Sequence, residues 1–155
     1  MIFMNVRSAK VSDAKTINAL ISNYAEHDKM LFRSLADIYE KIQSFVVAEQ
    51  DGNVIGCCCL QVIWSDLAEI TSLAVEESKK GIGIGTALVQ AAVEKAKKIG
   101  LKRLFALTME PVFFEKIGFK RIDMDQLPMK VWSDCARCPK QDNCDEIAVV
   151  KDLPI

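Results

Sequence analysis

The chain predicts a β-sheet with helices packed on its faces, of α/β or α+β class. Three observations carry that reading. Strand-like apolar runs interleave with helical periods, a hairpin signal stands early at Gln50-Asp51-Gly52-Asn53, and a β-α-β-α unit follows in the later half.

In chain order, Ile2 to Arg7 reads as a short strand. Asp13 to Asn23 reads as a helix capped by Ser12 or Asp13, with Ile17, Leu20, Ile21 and Tyr24 on one face. A polar stretch from Glu26 to Arg33 leads to a second helix, Ser34 to Gln43. There Leu35, Ile38, Tyr39 and Ile42 repeat at helical spacing and Ser34 is the cap. Phe45 to Glu49 and Val54 to Ile63 are β-rich and joined by the Asp-Gly turn. Ala68 to Val75 is a further strand. A helix from about Thr86 to Ile99 places Leu88, Ala92, Ala96 and Ile99 on one face with Lys95 and Lys98 off it, and Gly100 ends it. Arg103 to Leu107 is a strand, and Pro111 to Ile117 a short helix that stops at Gly118. A cysteine-bearing loop spans about 128–146, and Ile147 to Val150 closes the chain as an apolar strand. All 155 residues read as one domain, long enough to bury a core.

Composition narrows the partners. Twenty basic residues against twenty-one acidic leave a net charge of −1, which speaks against nucleic acid, whose binders carry a basic surplus. No apolar run reaches membrane-span length, since even Val54 to Trp64 is short and holds Gln61. The start of the sequence lacks the pattern of a signal peptide. A cytosolic protein is expected, with its six cysteines kept as thiols or metal ligands.

The sharpest local feature is Lys80-Gly81-Ile82-Gly83-Ile84-Gly85-Thr86, set between a strand and an amphipathic helix. Glycines there let the backbone turn tightly and leave N–H groups free at a helix start, where the dipole favours phosphate oxygens. Lys79 and Lys80 can add charge. The same spacing also suits a glycine-rich turn with no ligand. The dinucleotide fingerprint fits poorly, because Thr86 stands where glycine or alanine is needed and a charged segment follows the strand. No Gly-Lys-Ser/Thr follows the glycines, so the P-loop is absent.

This segment resembles the acetyl-CoA-binding motif Gln/Arg-x-x-Gly-x-Gly/Ala of the GNAT acetyltransferases, with Lys80 in place of the usual first residue. Two further stretches are similar to that family in the right order. They are Ala68-Glu-Ile-Thr-Ser-Leu-Ala-Val75, like its central strand, and Phe113-Phe-Glu-Lys-Ile-Gly-Phe119, like its exit helix and turn. A narrower resemblance is to the short N-acetylglutamate synthases of arginine biosynthesis. It rests on Leu31-Phe-Arg-Ser-Leu35, Ala68 to Leu73, Leu104-Phe-Ala-Leu-Thr108, and the tail Leu127-Pro-Met-Lys-Val-Trp132 with Asp134-Cys135, Cys138-Pro139 and Cys144-Asp-Glu146. The resemblance implies a mixed, mostly antiparallel sheet with helices on both faces and a cleft between two splayed strands. It also implies transfer of acetyl from acetyl-CoA to an amine, with the α-amine of glutamate as first expectation. Another small amine, a protein N-terminus, or a non-catalytic acetyl-CoA- or metal-sensing module are the alternatives. Small domains of this family often pair, so a homodimer stays open.

The resemblance assigns roles to particular positions. The amides of Ile82 to Thr86 would hold the pyrophosphate. Leu73, Ala74 and Val75 would pair with the pantetheine arm like an added strand, one of their N–H groups facing the acetyl oxygen. Glu69 occupies the place where many relatives have a catalytic glutamate, and a base is needed because the acceptor amine is mostly ammonium near neutral pH. It is also the one acid between Ala68 and Val75, and alternation puts it on the face of Thr71 and Leu73. An exposed strand glutamate is the plain alternative. Relatives often place a proton-donating tyrosine where this chain has Phe114, so that role stays unassigned and Phe114 becomes a core or cofactor-packing residue. Arg33 lies in the loop where relatives recognise acceptors, and a guanidinium suits a carboxylate. A solvated arginine near a helix cap is the alternative. Arg7 and Lys130 are weaker candidates.

Cys135-x-x-Cys138 and Cys144 have near metal-ligand spacing, open to a structural zinc or to free thiols, with no evident fourth ligand. Cys57 to Cys59 sit in a strand among Val54, Ile55, Leu60 and Val62 and read as small core residues. His27 lies in a polar segment and reads as a surface residue.

Overall fold

The computed structural model describes residues 4–26, 33–127 and 146–154. These residues form a seven-stranded sheet in the order β1-β2-β3-β4-β5-β7-β6. The strands are β1 (Met4–Ser8), β2 (Phe45–Gln50), β3 (Asn53–Trp64), β4 (Leu67–Val75), β5 (Arg103–Thr108), β6 (Lys120–Ile122) and β7 (Ile147–Asp152). The helices are α1 (Ala14–Glu26), α2 (Leu35–Glu40), α3 (Ile84–Lys98) and α4 (Pro111–Glu115). Every ladder is antiparallel except β4–β5. The mixed, mostly antiparallel α+β sheet expected from the sequence is the one observed.

Alternation along the central strands serves two cores. Val46 and Ala48 of β2, with Cys58 and Leu60 of β3, pack against Leu88, Val89, Ala92 and Ala96 of α3. Phe45 and Val47, with Cys57 and Cys59, face Ile17 and Ile21 of α1 and Ile38 of α2. Helices therefore cover both faces. Each fully buried aliphatic side chain contributes about 1.5–3 kcal/mol relative to exposure. The cysteine run packs as expected, with all three residues at 0% exposure. Burial chiefly pushes the Cys57 thiol up to about 12 and the Cys59 thiol to about 11. Neither is a reactive thiolate near neutral pH.

Boundaries and caps differ from the sequence expectation in a few places. The Asp51-Gly52 turn between β2 and β3 forms as predicted, both residues left-handed at φ 52° and 80°. Ser34 caps α2 through the Asp37 N–H at 3.1 Å. That helix is shorter than predicted, because the chain tightens into a 3-10 turn at Ile42–Ser44, and Tyr39 is 41% exposed instead of lying on the apolar face. Neither Ser12 nor Asp13 caps α1 directly. A 3-10 turn at Val11–Asp13 precedes it, and the Asp13 carboxylate reaches back to the Lys10 N–H at 2.7 Å. Ile99 is 56% exposed at the end of α3, whereas Lys95 lies half-buried with its ammonium donating to the Gln43 carbonyl. Strand β6 was not anticipated, since only three residues form it and two of them are exposed cations.

Candidate functional site

The one parallel ladder is short. Leu67, Ala68 and Glu69 of β4 pair with Arg103, Leu104 and Phe105 of β5, and there the pairing ends. Beyond that point β5 continues on β7 from Ala106 to Thr108, while β4 continues on β3 to Val75. A strand that loses one neighbour exposes a row of N–H and C=O groups. The result is a cleft between splayed strands with Glu69 at its apex, the last residue of β4 that pairs with β5. Glu69 is half-buried, opposite Gln61 of β3.

Just past the apex the strand carries an irregularity that alternation cannot foresee. Ser72 adopts φ 55°, left-handed for a residue with a Cβ. Thr71 pairs with Cys59 and Ala74 with Cys57, so Ser72 and Leu73 together face the single residue Cys58. This is a β-bulge, and one extra residue exchanges the faces of everything after it. Ala68 and Ile70 lie in the core under α3, as do Val75 and the flanking Leu73, whereas Ala74 packs with α1. The expectation that Glu69, Thr71 and Leu73 share a face is thus corrected: Glu69 and Thr71 share one, and the bulge carries Leu73 to the other.

Arg33 braces this bulge. Its Nε donates to Ser72 Oγ at 2.8 Å, Nη1 to Asp37 Oδ2 at 2.8 Å and Nη2 to Gln61 Oε1 at 3.3 Å. With its side chain 14% exposed, Arg33 is a positioned guanidinium and not a solvated one. Asn18 of α1 adds a 3.0 Å bond to the Arg33 carbonyl. Asp37 is desolvated by burial, which opposes ionisation, but Arg33 and Lys41 win and hold it below the usual carboxylate range. Ser72, Asp37 and Gln61 were not singled out from sequence. The one signal was a serine at a position where alternation calls for an apolar residue.

The glycine segment lies at the other end of β4. Gly81 and Gly83 take φ 83° and 90°, and a Cβ at either would meet nothing within 4 Å. Backbone conformation, not space, is what requires glycine at both. Gly83 begins α3 without a side-chain cap, and the N–H groups of Ile84, Gly85 and Thr86 fall in the first turn, which has no intrahelical acceptors. Ile84 anchors that turn in the core at 2% exposure while Ile82 is 58% exposed. Gly85 is where Phe113 approaches, 3.3 Å from where a Cβ would stand. Uncapped amides at a helix start suit phosphate oxygens, and the open β4 edge suits an amide-bearing chain. The residues fit both parts of an acyl-CoA. Lys80 pairs with Glu77 at 3.0 Å and sits 4.6 Å from the centroid of the Tyr24 ring. Burial lowers its pKa, and Tyr24 and Glu77 more than offset that, leaving it above the usual lysine value.

Other candidates resolve differently. Phe114 is a core residue at 5% exposure, stacked edge-on against Phe113 and Phe119. Its ring neighbour Phe113 reaches the glycine segment at Gly85. Arg7 is committed to Asp13 at 2.8 Å and Glu49 at 2.5 Å, so its role is to tie β1 to β2 and to the turn before α1. Cys135, Cys138, Cys144, Lys130 and His27 lie outside the described residues. Among the described residues no three His, Cys, Asp or Glu side chains are grouped to hold a metal ion, and no helix is long and apolar enough to cross a membrane.

Comparison with known proteins identifies the family and the fold. Residues 13–119 match the model of the acetyltransferase (GNAT) family. The chain is 43% identical over 148 residues to an uncharacterized N-acetyltransferase of Chlorobaculum tepidum, covering 96% of each. It is 38% identical to an amino-acid acetyltransferase of Mycobacterium tuberculosis, over 85% of this chain and 77% of that protein. The fold superposes with TM-score 0.88 and 31% identity on the N-acetylglutamate synthase of Neisseria gonorrhoeae complexed with coenzyme A and N-acetyl-glutamate. That match covers 99% of this chain but 36% of the larger gonococcal enzyme.

Proposed function

Because this chain belongs to the acetyltransferase (GNAT) family, we propose that it acetylates the α-amine of an amino acid, L-glutamate first, as a step toward arginine. The observation that carries this reading is the guanidinium of Arg33, held at the bulge by Ser72 and by Gln61, the residue that pairs with Glu69. An α-amino acid brings an amine to be deprotonated and carboxylates to be held, and the acceptor side of β4 offers one group for each. Acetyl-CoA supplies the acetyl group as a thioester.

In this reading Glu69 takes the proton from the acceptor ammonium, directly or through water, at the apex of the splay. The amine then attacks the thioester carbon, whose oxygen is met by a backbone N–H of the Leu73–Val75 segment. As the tetrahedral adduct collapses, its nitrogen gives its second proton to solvent, and the thiolate leaves and takes up a proton from solvent as coenzyme A, since Phe114 carries none to give. Arg33 fixes the acceptor by a carboxylate, and Ser72, Asp37 and Gln61 fix Arg33. The amides from Ile82 to Thr86, beside Lys80, hold the pyrophosphate. The relatives named for amino-acid acetylation support the acceptor class.

The test is to incubate the protein with acetyl-CoA and an equimolar mixture of amino acids and identify the acetylated product by mass spectrometry. N-acetylglutamate as the dominant product is expected. Acetylation of peptides alone, or of a non-amino-acid amine alone, would replace this acceptor with another.

A further inference from the structure

Tyr24, near the end of α1, was read from sequence as one more apolar residue of that helix. Its hydroxyl does something a core tyrosine need not do. It accepts from the Val75 N–H at 3.2 Å and donates to the Val75 carbonyl at 3.2 Å. Both groups are on the β4 edge that has left β5, because on its other side β4 is laddered to β3. Val75 is 8% exposed, so these two groups have little access to bulk water, and an unpaired buried backbone group is costly. A hydroxyl is the smallest side-chain group that can donate and accept at once, and here one hydroxyl closes one residue's worth of open strand edge. The same ring carries the Lys80 ammonium on its face, 4.6 Å from the centroid.

We propose that the Tyr24 hydroxyl and the pantetheine amide of acetyl-CoA compete for Val75, so that the cofactor enters by displacing Tyr24 and thereby lifts the aromatic face from Lys80. This rests on the acetyl-CoA reading above. A pantetheine amide carries one N–H and one C=O, the same pair the hydroxyl imitates. The carbonyl of Val75 has two lone pairs, but its N–H gives one good bond, so the two partners exclude each other there. Displacing Tyr24 removes the aromatic face from Lys80 and leaves the ammonium, still beside Glu77, at the start of the phosphate-binding segment. One exchange thus couples the pantetheine end of the cleft to its pyrophosphate end.

The chain has two tyrosines, Tyr24 and Tyr39, so protein labelled with 3-fluorotyrosine gives two fluorine resonances. Titration with acetyl-CoA should move the Tyr24 signal, saturating at the affinity measured by calorimetry, and leave the Tyr39 signal in place. In the same calorimetry Y24F should bind acetyl-CoA roughly three- to tenfold more tightly, since the competitor is gone and the ring remains. A Tyr24 resonance that stays put while acetyl-CoA binds overturns the exchange, and so does a folded Y24F that binds no better than wild type. Should Y24F fail to fold, the fluorine titration of the wild-type sequence decides alone. Failure of the wild-type protein to bind acetyl-CoA at all is a separate result, which removes the acetyl-CoA reading and the exchange with it.

Discussion

The two ends of β4 are built from different materials. At the end proposed for the acceptor, Arg33, Asp37, Gln61 and Ser72 hold one another side chain to side chain around a strained bulge. At the end proposed for the cofactor, the glycine segment presents main chain, with two left-handed glycines and an uncapped helix start. The contrast suits the two tasks. A pyrophosphate is the same in every acetyl-CoA and can be held by backbone amides that tolerate changes in sequence. An acceptor must be told from its neighbours, and that takes positioned side chains whose unmet bonds reject the wrong molecule.

If this division is right, substitutions at the two ends should separate kinetically. The largest effect belongs to the apex between them. Glu69→Gln should lower kcat about 10²–10⁴-fold, the range for loss of a general base, with acetyl-CoA affinity unchanged by calorimetry. A fall in kcat of less than about tenfold would assign Glu69 to structure. At the acceptor end, Arg33→Lys keeps the charge but loses the fork that spans Ser72, Asp37 and Gln61. The KM for the amino acid should rise about tenfold or more while the KM for acetyl-CoA holds. Equal rises in both would erase the division.

At the cofactor end, Gly83→Ala meets no clash but must hold φ 90°. It should cost about 1–2 kcal/mol of stability in denaturant melts and weaken acetyl-CoA binding, leaving the acceptor KM in place. The smallest effect tests the frame that both ends share. Hydrogen bonding from Arg7, against the opposing effect of burial, holds the Asp13 carboxyl below its usual value. A carboxyl lowered in the folded state stabilises fully above its unfolded pKa of about 3.9 and loses that contribution as pH falls through the folded value. Asp13→Asn should therefore lower stability near neutral pH by about 1 kcal/mol or more and flatten the acid limb of a pH–stability profile. An acid limb of unchanged slope would show that Asp13 is not part of it.

The same contrast explains what could be read from sequence. The glycine segment was legible because left-handed backbone requires glycine, and the spacing of Gly81, Gly83 and Gly85 survives in one dimension. The Asp51-Gly52 hairpin was legible for the same reason. Glu69 stood out as a charge in an apolar strand. The proposed acceptor end was not legible beyond Arg33, because its parts come from three separate stretches that only the fold brings together. The bulge at Ser72 was invisible to alternation, which assumes no extra residue, and so Leu73 was assigned the wrong face. Tyr24 was counted as packing because helical period reports the ring, while the hydroxyl's partner lies on a strand 51 residues away.

The two ends of β4 are proposed to serve one reaction on an amino acid. The measurement that tests this most directly is thiol release from acetyl-CoA by the wild-type protein, followed across the amino acids at saturating cofactor. The expected result is turnover that peaks with L-glutamate, falls with L-glutamine and is nearly abolished in Glu69→Gln. Acetyl-CoA binding with no thiol release for any amino acid would contradict it, leaving Arg33 as a brace for the bulge and not the seat of an acceptor.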